Sequence, residues 1–171
     1  ISHFYKYKNF ENLLIAYQNL PSDIKDKYKL KFIGHPYDIS YYKKIHSLID
    51  QFKLRKNVEI LSNLKREEIN WYLKNCELFI FPSLIENCPM SLLEAMQFDK
   101  PIITSHISPM DEFCKELPIH FDPLDALSIT SSINKFCKNK DRMKEKYNYS
   151  YYKKKLTWFN FTQKVIKIYL I

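Results

Sequence analysis

Residues 78–97 read LFIFPSLIENCPMSLLEAMQ, and this stretch predicts a buried strand, a turn and a helix in succession. Leu78–Phe81 is a short continuous apolar run, which is typical of a strand that is covered on both faces in a parallel sheet. Pro82 and Ser83 end that strand. A helix is predicted over Met90–Gln97, so the stretch has the strand–turn–helix order of an open α/β fold.

The start of this helix has the residues of an anion-binding turn. Pro89 suits the first helical position, where its missing N–H costs nothing, and Asn87 or Cys88 would then cap the helix. Free N–H groups and a partial positive charge at a helix start attract phosphorylated ligands beyond the carboxyl ends of parallel strands. The turn therefore predicts a binding site for a phosphorylated ligand.

Two carboxylates flank the turn. Glu86 lies on the turn itself, and Glu94 lies about one turn into the helix. A carboxylate accepts hydrogen bonds from hydroxyl groups, so such a pair suits the diols of a ribose and a hexose. The alternative is a solvated turn glutamate and a helix-surface glutamate, and from the residues alone that alternative is favoured.

Strand-like and helical patterns alternate along the whole chain. The predicted strands are Leu30–Ile33, Val58–Leu61, Leu78–Phe81, Ile102–Thr104 and Ile119–Phe121, and the predicted helices are Phe10–Asn19, Tyr41–Phe52, Arg66–Asn75, Met90–Gln97 and Ala126–Cys137. This alternation predicts a parallel sheet with helices on both faces. With 171 residues, 46% of them hydrophobic, the chain is predicted to form one domain with its own core.

An ordered string of residues resembles a known family signature. Glu86 and Glu94 are followed by Ala95-Met96 and then by Lys100-Pro101-Ile102-Ile103. Further matches are Lys8-Asn9 before Leu13–Tyr17, Phe32-Ile33-Gly34, Val58–Leu61, Phe121-Asp122-Pro123, Thr157-Trp158 and Ile168-Tyr169. The chain resembles the C-terminal, donor-binding domain of a retaining glycosyltransferase of the GT-B fold, in the group 1 (family 4) set. The resemblance covers nearly the whole chain.

The resemblance implies a Rossmann-like, three-layer α/β domain over residues 1–171. Members of the family also carry an N-terminal acceptor-binding domain, which this chain is expected to lack. Half of the active site would then be absent, so the chain alone is expected to bind donor weakly and to be inactive. The donor, a nucleotide-activated hexose, is a substrate, and no cofactor or metal is expected.

The resemblance also implies roles for individual residues. Lys8 would stabilise the β-phosphate, Glu86 would orient the donor sugar, and Glu94 would hold the ribose hydroxyls. The catalytic residues are thus predicted to be Glu86 and Lys8, and the substrate-binding residues Glu94, Asn87, Cys88, Pro89, Met90, Ser91, Leu64 and Lys65. Backbone around Asn87–Ser91 would contact sugar and phosphate, and the loop containing Leu64 and Lys65 would lie near the base.

The chain departs from the family pattern at two kinds of position. The family has an arginine a few residues before the lysine, whereas residues 2–6 read SHFYK, so Lys6 or His3 would have to replace it. The family also favours glycine at three turns where this chain has Ser62, Pro89 and Asp99. Gly34 is the only glycine. Either these turns accept the residues present, as Asn and Asp can when φ is positive, or donor binding is altered.

Charge and cysteine content limit the partners and the compartment. The net charge of +8 comes from lysines spread along the chain with no recognition motif for nucleic acid, so nucleic acid is not an expected partner. Lysines near anionic lipid each contribute about 1 kcal/mol, which favours peripheral contact with a membrane. Cys76, Cys88, Cys114 and Cys137 show no metal-type spacing and are expected to be free thiols. The expected location is the cytoplasm, with contact at the inner face of a membrane.

Three functions are consistent with the sequence. The favoured one is a glycosyltransferase donor domain that binds a nucleotide-activated hexose for transfer, with retention, to a glycan or lipid-linked acceptor in polysaccharide biosynthesis. A degenerate, non-catalytic binding or scaffold module would explain the missing arginine and glycines. A sugar-nucleotide epimerase shares the fold, although the glutamate string argues against it.

Overall fold

The fold was analysed in a computed structural model, which describes residues 1–108, 110, 119–144, 147, 149, 150 and 154. Five strands are present in the described part: β1 (Leu30–Ile33), β2 (Val58–Leu61), β3 (Phe79–Phe81), β4 (Ile102–Ser105) and β5 (His120–Phe121). The helices whose bounds lie within the described residues are α1 (Phe10–Gln18), α2 (Ser22–Lys27), α3 (Ile39–Gln51), α4 (Arg66–Asn75), α5 (Met90–Gln97), α6 (Ala126–Lys138) and α7 (Lys140–Lys144), with a 3₁₀ turn over Lys6–Lys8.

All strand pairs are parallel, as the alternation of strands and helices predicts. β1 pairs with β2, with Phe32 opposite Ile60. β3 pairs with β4 and β4 with β5, so the described strands form a two-stranded and a three-stranded group. The chain is therefore an α/β domain, and the carboxyl ends of its parallel strands are the expected ligand-binding edge.

The predicted elements are confirmed with small shifts at their ends. β1, β2, α4 and α5 have the predicted bounds. Leu78 and Ile119 were predicted to begin strands, but β3 begins at Phe79 and β5 at His120. The short helices α2 and α7 have no counterpart in the prediction, because six and five residues are too few for a clear helical period. The predicted features at Cys114 and over 151–153 and 155–171 lie outside the described residues.

Local capping sets where two long helices begin. The Asp38 carboxylate accepts from the Tyr41 N–H at 2.9 Å, and α3 starts at Ile39. The Asp125 carboxylate accepts from the Leu127 N–H at 2.8 Å, and α6 starts at Ala126. A side-chain oxygen at the cap satisfies one of the N–H groups that a helix start leaves without a partner. These caps explain the helix starts after short polar turns.

Gly34 allows the first residues of the chain to lie against the end of β1. The Ser2 N–H donates to the Ile33 carbonyl at 2.8 Å, and the Phe4 N–H donates to the His35 carbonyl at 3.0 Å. A Cβ at Gly34 would lie 1.9 Å from the Ser2 carbonyl oxygen, which is too close for two atoms that are not bonded. Glycine is needed here for close approach of two backbones, and the approach fixes the position of residues 2–4.

The core is continuous through both strand groups. The fully buried side chains include Phe4, Leu14, Ile45, Leu73, Leu92, Ile102, Ile103, Phe121, Ile129 and Phe136. They come from every layer of the fold, so the helices on both faces share one core with the strands. That rigid base holds the loops at the carboxyl ends of β1, β2 and β3 in fixed positions.

Candidate functional site

A cavity of about 390 Å³ lies at the carboxyl ends of β1 and β3. Its walls come from the first residues of the chain, the 3₁₀ turn, the loops after β1, β2 and β3, and the starts of α4 and α5. The lining residues are Ile1, Ser2, His3, Lys8, Ile33, Gly34, His35, Asn63, Leu64, Arg66, Ile69, Phe81, Glu86, Cys88, Pro89, Met90, Ser91 and Glu94. This is the edge at which parallel α/β sheets bind ligands.

Lys8 and Glu86 form an ion pair in the wall of the cavity. Lys8 Nζ lies 2.5 Å from Glu86 Oε1, and the two side chains are only 12% and 8% exposed. The ammonium also lies 4.9 Å from the ring centroid of Tyr7 and 5.9 Å from that of Phe81, within the range of cation–π attraction. The pair therefore holds Glu86 in one orientation, with a cation directly beside it.

Asn9 fixes the lysine turn to the rest of the site. Its backbone is left-handed, with φ at 59°, and it links the 3₁₀ turn directly to α1. Its buried side-chain amide donates to the Pro82 carbonyl at 3.0 Å and to the Pro123 carbonyl at 2.7 Å. The Leu84 N–H donates to the Tyr7 carbonyl at 2.8 Å. These bonds connect the turn that carries Lys8 to the loop that carries Glu86.

A second ion pair lies in the wall of the same cavity. Arg66, the first residue of α4, places Nη1 2.7 Å from Glu94 Oε1 on α5. Its side chain is 57% exposed and that of Glu94 is 24% exposed. Both carboxylates of the signature therefore have a cation as partner, and the two cations come from different parts of the sequence.

The start of α5 differs from the prediction. The helix begins at Met90, and Pro89 is the cap residue itself; neither Asn87 nor Cys88 caps the helix with a side chain, so that prediction was wrong. The Met90 N–H donates to the Cys88 carbonyl, and the Leu92 and Leu93 N–H groups donate to the Pro89 carbonyl. The carbonyls of the turn thus satisfy these amides, which removes the need for a side-chain cap.

Four turns of the described part adopt a left-handed backbone without glycine, and one of them contains Lys53, with φ at 55°. Asn63 has φ at 57°, Asp99 has φ at 52° and Asn9 has φ at 59°. Asp99 thus adopts the positive φ that an aspartate can accept in place of glycine. In the loop after β2 the left-handed residue is Asn63 and not Ser62, and Pro89 has φ at −79°. Asn and Asp accept this conformation at lower cost than most residues, because their short polar side chains bond to nearby backbone.

Two histidines form the wall between the first residues and the loop after β1. The His35 N–H donates to His3 Nδ1 at 3.2 Å, and His35 Nδ1 lies 3.2 Å from Asn63 Oδ1. Desolvation lowers the pKa of His3 below 6.5, and the charges of His35 and Lys8 lower it further. Because Nδ1 accepts from the His35 N–H, Nε2 is the ring nitrogen of His3 that can donate to a ligand.

A model of the family of glycosyl transferases group 1 matches residues 1–156. The chain belongs to this family. The fold and the family inferred from the glutamate string are thereby confirmed, and the α/β domain with parallel strands matches solved structures of the GT-B type.

The group 1 relatives are much longer than this chain. The O-antigen chain mannosyltransferase B of Escherichia coli is 25% identical over 129 residues, which cover 74% of this chain and 32% of the relative. The chain spans about a third of the length of the curated relatives it matches.

Two solved structures show the same fold. The structure of Alr3699/HepE from Anabaena in complex with UDP-glucose has a TM-score of 0.75 at 18% identity, over 85% of this chain and 41% of that one. The C-terminal domain of a group 1 glycosyl transferase (LpcC) from Francisella tularensis has a TM-score of 0.76 at 18% identity, over 86% of this chain and 78% of that one.

Most of the predicted site residues of this group 1 domain line the one cavity. Lys8, Leu64, Glu86, Cys88, Pro89, Met90, Ser91 and Glu94 are all in its wall. Asn87 and Lys65 are exposed and are not among the lining residues. The Lys65 N–H instead donates to Glu68 Oε2 at 2.8 Å, at the start of α4.

Arg66 is the residue that the sequence reasoning missed. It lies next to the loop that was predicted to contact the base, but nothing in its neighbourhood marks it as a partner of Glu94, which is 28 positions away. Arg66 is the first residue of a helix. Arginine is unusual there, because the positive end of the helix dipole favours an acidic residue. That local conflict is the signal that could have identified it.

Among the described residues, no group of three or more metal-ligating side chains is found. No helix in that part of the chain has the length and apolar character needed to cross a membrane.

Proposed function

We propose that this chain is the donor-binding domain of a hexosyltransferase, which moves a hexose with retention from a nucleotide sugar to a glycan or lipid-linked acceptor. The observation that carries the proposal is the convergence of the Lys8–Glu86 and Arg66–Glu94 pairs on one cavity at the carboxyl ends of the strands. One cavity then offers two hydroxyl acceptors and two cations, which are the groups that a nucleoside diphosphate sugar requires.

The cations and carboxylates have complementary tasks in this proposal. Departure of the nucleoside diphosphate develops negative charge on the β-phosphate, which Lys8 and the start of α5 stabilise. Glu86, held by Lys8, accepts hydrogen bonds from the donor hexose. Glu94 accepts from the ribose hydroxyls, and Arg66 orients that carboxylate. The chemistry is carried by positioning and charge, with no nucleophile from the protein.

The proposal also covers the donor nucleotide, a second domain and the cellular location of the reaction. Relatives include mannosyltransferases of O-antigen synthesis, and a protein of the same fold was solved with UDP-glucose, so GDP and UDP sugars are the first donors to test. The relatives are more than twice as long as this chain, which supports an acceptor-binding domain N-terminal to residues 1–171 in the active enzyme. We place the reaction in the cytoplasm, at the inner face of a membrane that offers the acceptor.

A second candidate is a non-catalytic nucleotide-sugar-binding module. It is favoured by the absence of arginine from residues 2–6 and by the fact that both signature carboxylates already have cations as partners. Such a module would bind a donor without transferring or hydrolysing its sugar.

Calorimetric titration with UDP-, GDP-, ADP- and dTDP-hexoses tests the proposal. We expect selective millimolar binding of one nucleotide class, at least tenfold weaker in Glu94→Gln. Glu67→Gln is the matched control, because Glu67 is an exposed glutamate on α4 outside the cavity. Absence of binding by the wild-type chain at millimolar donor contradicts a donor site in this chain. Binding without slow donor hydrolysis, in the chain joined to its acceptor-binding domain, favours the non-catalytic module.

A further inference from the structure

Three tyrosines form a stepped stack beside the cavity. The rings of Tyr5 and Tyr7 have centroids 5.6 Å apart and an angle of 15°, and those of Tyr5 and Tyr37 have centroids 5.8 Å apart and an angle of 11°. These separations are typical of offset stacking, in which rings overlap only in part. Tyr7 is 39% exposed and Tyr37 is 58% exposed. We call Tyr5, Tyr7 and Tyr37 the tyrosine ladder.

Both ends of the ladder reach the cavity. At one end, Lys8 lies over the Tyr7 ring and holds Glu86. At the other end, the rings of His3 and His35 lie with centroids 4.8 and 4.6 Å from that of Tyr37. Both histidines line the cavity. The ladder therefore extends the wall of the donor site outward along one side.

Exposed aromatic rings in a row require a physical explanation. Single exposed apolar residues are ordinary on a protein surface, but adjacent ones mark a binding surface. The ladder is assembled from two segments, since Tyr5 and Tyr7 precede α1 whereas Tyr37 follows β1. The fold thus brings three rings together from two distant segments while leaving two of the rings open to solvent.

The chemistry of the ladder matches a pyranose. The face of an aromatic ring carries partial negative charge and attracts polarised C–H groups, and a pyranose has a flat face of such C–H groups. Its hydroxyl rim needs donors and acceptors, which the tyrosine hydroxyls and the His3 ring supply. Aromatic faces and polar side chains of this kind can bind an uncharged carbohydrate.

We propose that the tyrosine ladder is a subsite for the saccharide acceptor of the transfer reaction. The proposal rests on the proposed function, because an acceptor must bind next to the donor hexose. Continuity with the cavity favours the acceptor over an unrelated ligand: Lys8, which contacts the ladder, also holds the carboxylate assigned to the donor sugar. A glycan that lies along the rings would thus have its terminal sugar at Glu86.

Nuclear magnetic resonance of the tyrosine ring signals tests this subsite directly. We expect linear mannotriose, maltotriose or cellotriose to shift the signals of Tyr5, Tyr7 and Tyr37 at millimolar concentration. Tyr37→Ala should weaken saccharide binding by about two- to tenfold, the range for one aromatic contact. Tyr5→Ala should have the larger effect, because both stacked contacts of the ladder involve Tyr5.

Trp71→Ala is the matched control, since Trp71 is an exposed aromatic residue outside the cavity. It should leave saccharide binding unchanged. Saturation with UDP or GDP should also leave saccharide binding in place, because donor and acceptor occupy adjacent positions. Competition between nucleotide and saccharide would overturn the proposal and assign the ladder to the donor. Absence of any ladder shift with all three saccharides would overturn it as well.

A membrane is the alternative occupant to be tested. Sedimentation with vesicles of phosphatidylglycerol and phosphatidylcholine that is lost in Tyr37→Ala, without saccharide binding, would overturn the acceptor role in favour of a lipid surface. The donor titration separates the two proposals. Donor binding without saccharide binding contradicts the subsite alone, whereas saccharide binding without donor binding contradicts the proposed function and with it the acceptor role.

Discussion

The two ion pairs of the cavity have the same chemistry and opposite surroundings. Lys8 and Glu86 are nearly buried, at 12% and 8% exposure, whereas Arg66 and Glu94 are 57% and 24% exposed. A buried pair is costly to break, because removal of one partner leaves a charge without water or counter-charge. An exposed pair exchanges readily with solvent and is weak.

This difference separates a fixed part of the site from an adaptable part. The lysine side is fixed because its backbone is tied by Asn9 and by the close approach at Gly34. The arginine side bridges the starts of α4 and α5 through two side chains, one of them largely in solvent. We expect the first pair to contribute mainly to stability and geometry, and the second to adjust when a ligand binds.

The largest expected effect on stability comes from Gly34→Ala, which would disturb the fixed part of the site and leave the adaptable part intact. The new Cβ would lie 1.9 Å from the Ser2 carbonyl oxygen, so residues 2–4 must move. We expect a loss of about 3 kcal/mol in the free energy of unfolding, the upper part of the range for overpacking. Urea unfolding followed by circular dichroism measures this loss.

The location of the damage checks the same prediction. Amide chemical-shift changes in Gly34→Ala should concentrate in residues 1–8 and spare α4 and α5, which carry the Arg66–Glu94 pair. Equal changes around both pairs would show that the two sides are not independent.

The next effect is expected at the buried pair. Lys8→Met should lower the free energy of unfolding by about 2 kcal/mol, less than for a fully buried pair because some exposure remains. The double variant Lys8→Met, Glu86→Gln should recover a large part of that loss, since no charge then stays unpaired. A double-mutant cycle in urea measures the coupling. Additive losses would refute a strong buried pair.

A smaller effect on stability is expected at the exposed pair. Arg66→Met should change the free energy of unfolding by less than about 0.5 kcal/mol, and sodium chloride should screen the pair. The same variant should weaken nucleotide binding severalfold, because Glu94 loses the group that orients it. Calorimetry with the selected donor measures this change. An unchanged affinity would remove Arg66 from the donor site.

Most secondary-structure elements, and three of the four charged residues of the two ion pairs, could be predicted from the sequence. The buried strands and long helices follow from hydrophobic periodicity, so four elements have the predicted bounds and the other predicted elements shift by one or two residues at an end. Lys8, Glu86 and Glu94 were identifiable because each belongs to an ordered string of residues. Their meeting in one cavity follows from the parallel fold, in which the ends of successive strands lie at one edge.

The remaining features depend on contacts between distant positions. Arg66 meets Glu94, and Tyr37 stacks on Tyr5, through the folded arrangement alone, and neither pair has a local pattern that marks it. The cap of α5 was predicted from residue preference, but nearby carbonyls satisfy the amides instead. Short-range preference fails where tertiary contacts or the turn itself provide the partner.

The smallest predicted effect is the pH dependence of stability that His3 causes, and it bears on the difference between the two ion pairs. Desolvation, followed by the charges of His35 and Lys8, lowers its pKa below the unfolded value of 6.5. The unfolded chain therefore takes up a proton first as pH falls. The contribution of His3 to stability is complete above pH 6.5 and declines as pH falls from 6.5 toward the folded pKa. A small fall in the urea midpoint over this window, absent in His3→Gln, is the expected result.

The histidine also reports which pair is near it. Because Lys8 is one cause of the lowered pKa of His3, Lys8→Met should raise that pKa, whereas Arg66→Met should leave it unchanged. Titration of the His3 ring signals by nuclear magnetic resonance measures both variants. A response to Arg66→Met alone would show that His3 senses the exposed pair, and it would contradict the separation of the site into a fixed part and an adaptable part. A response to Lys8→Met alone would mean that His3 senses the fixed pair, and its titration would then detect any ligand that displaces Lys8 from Glu86.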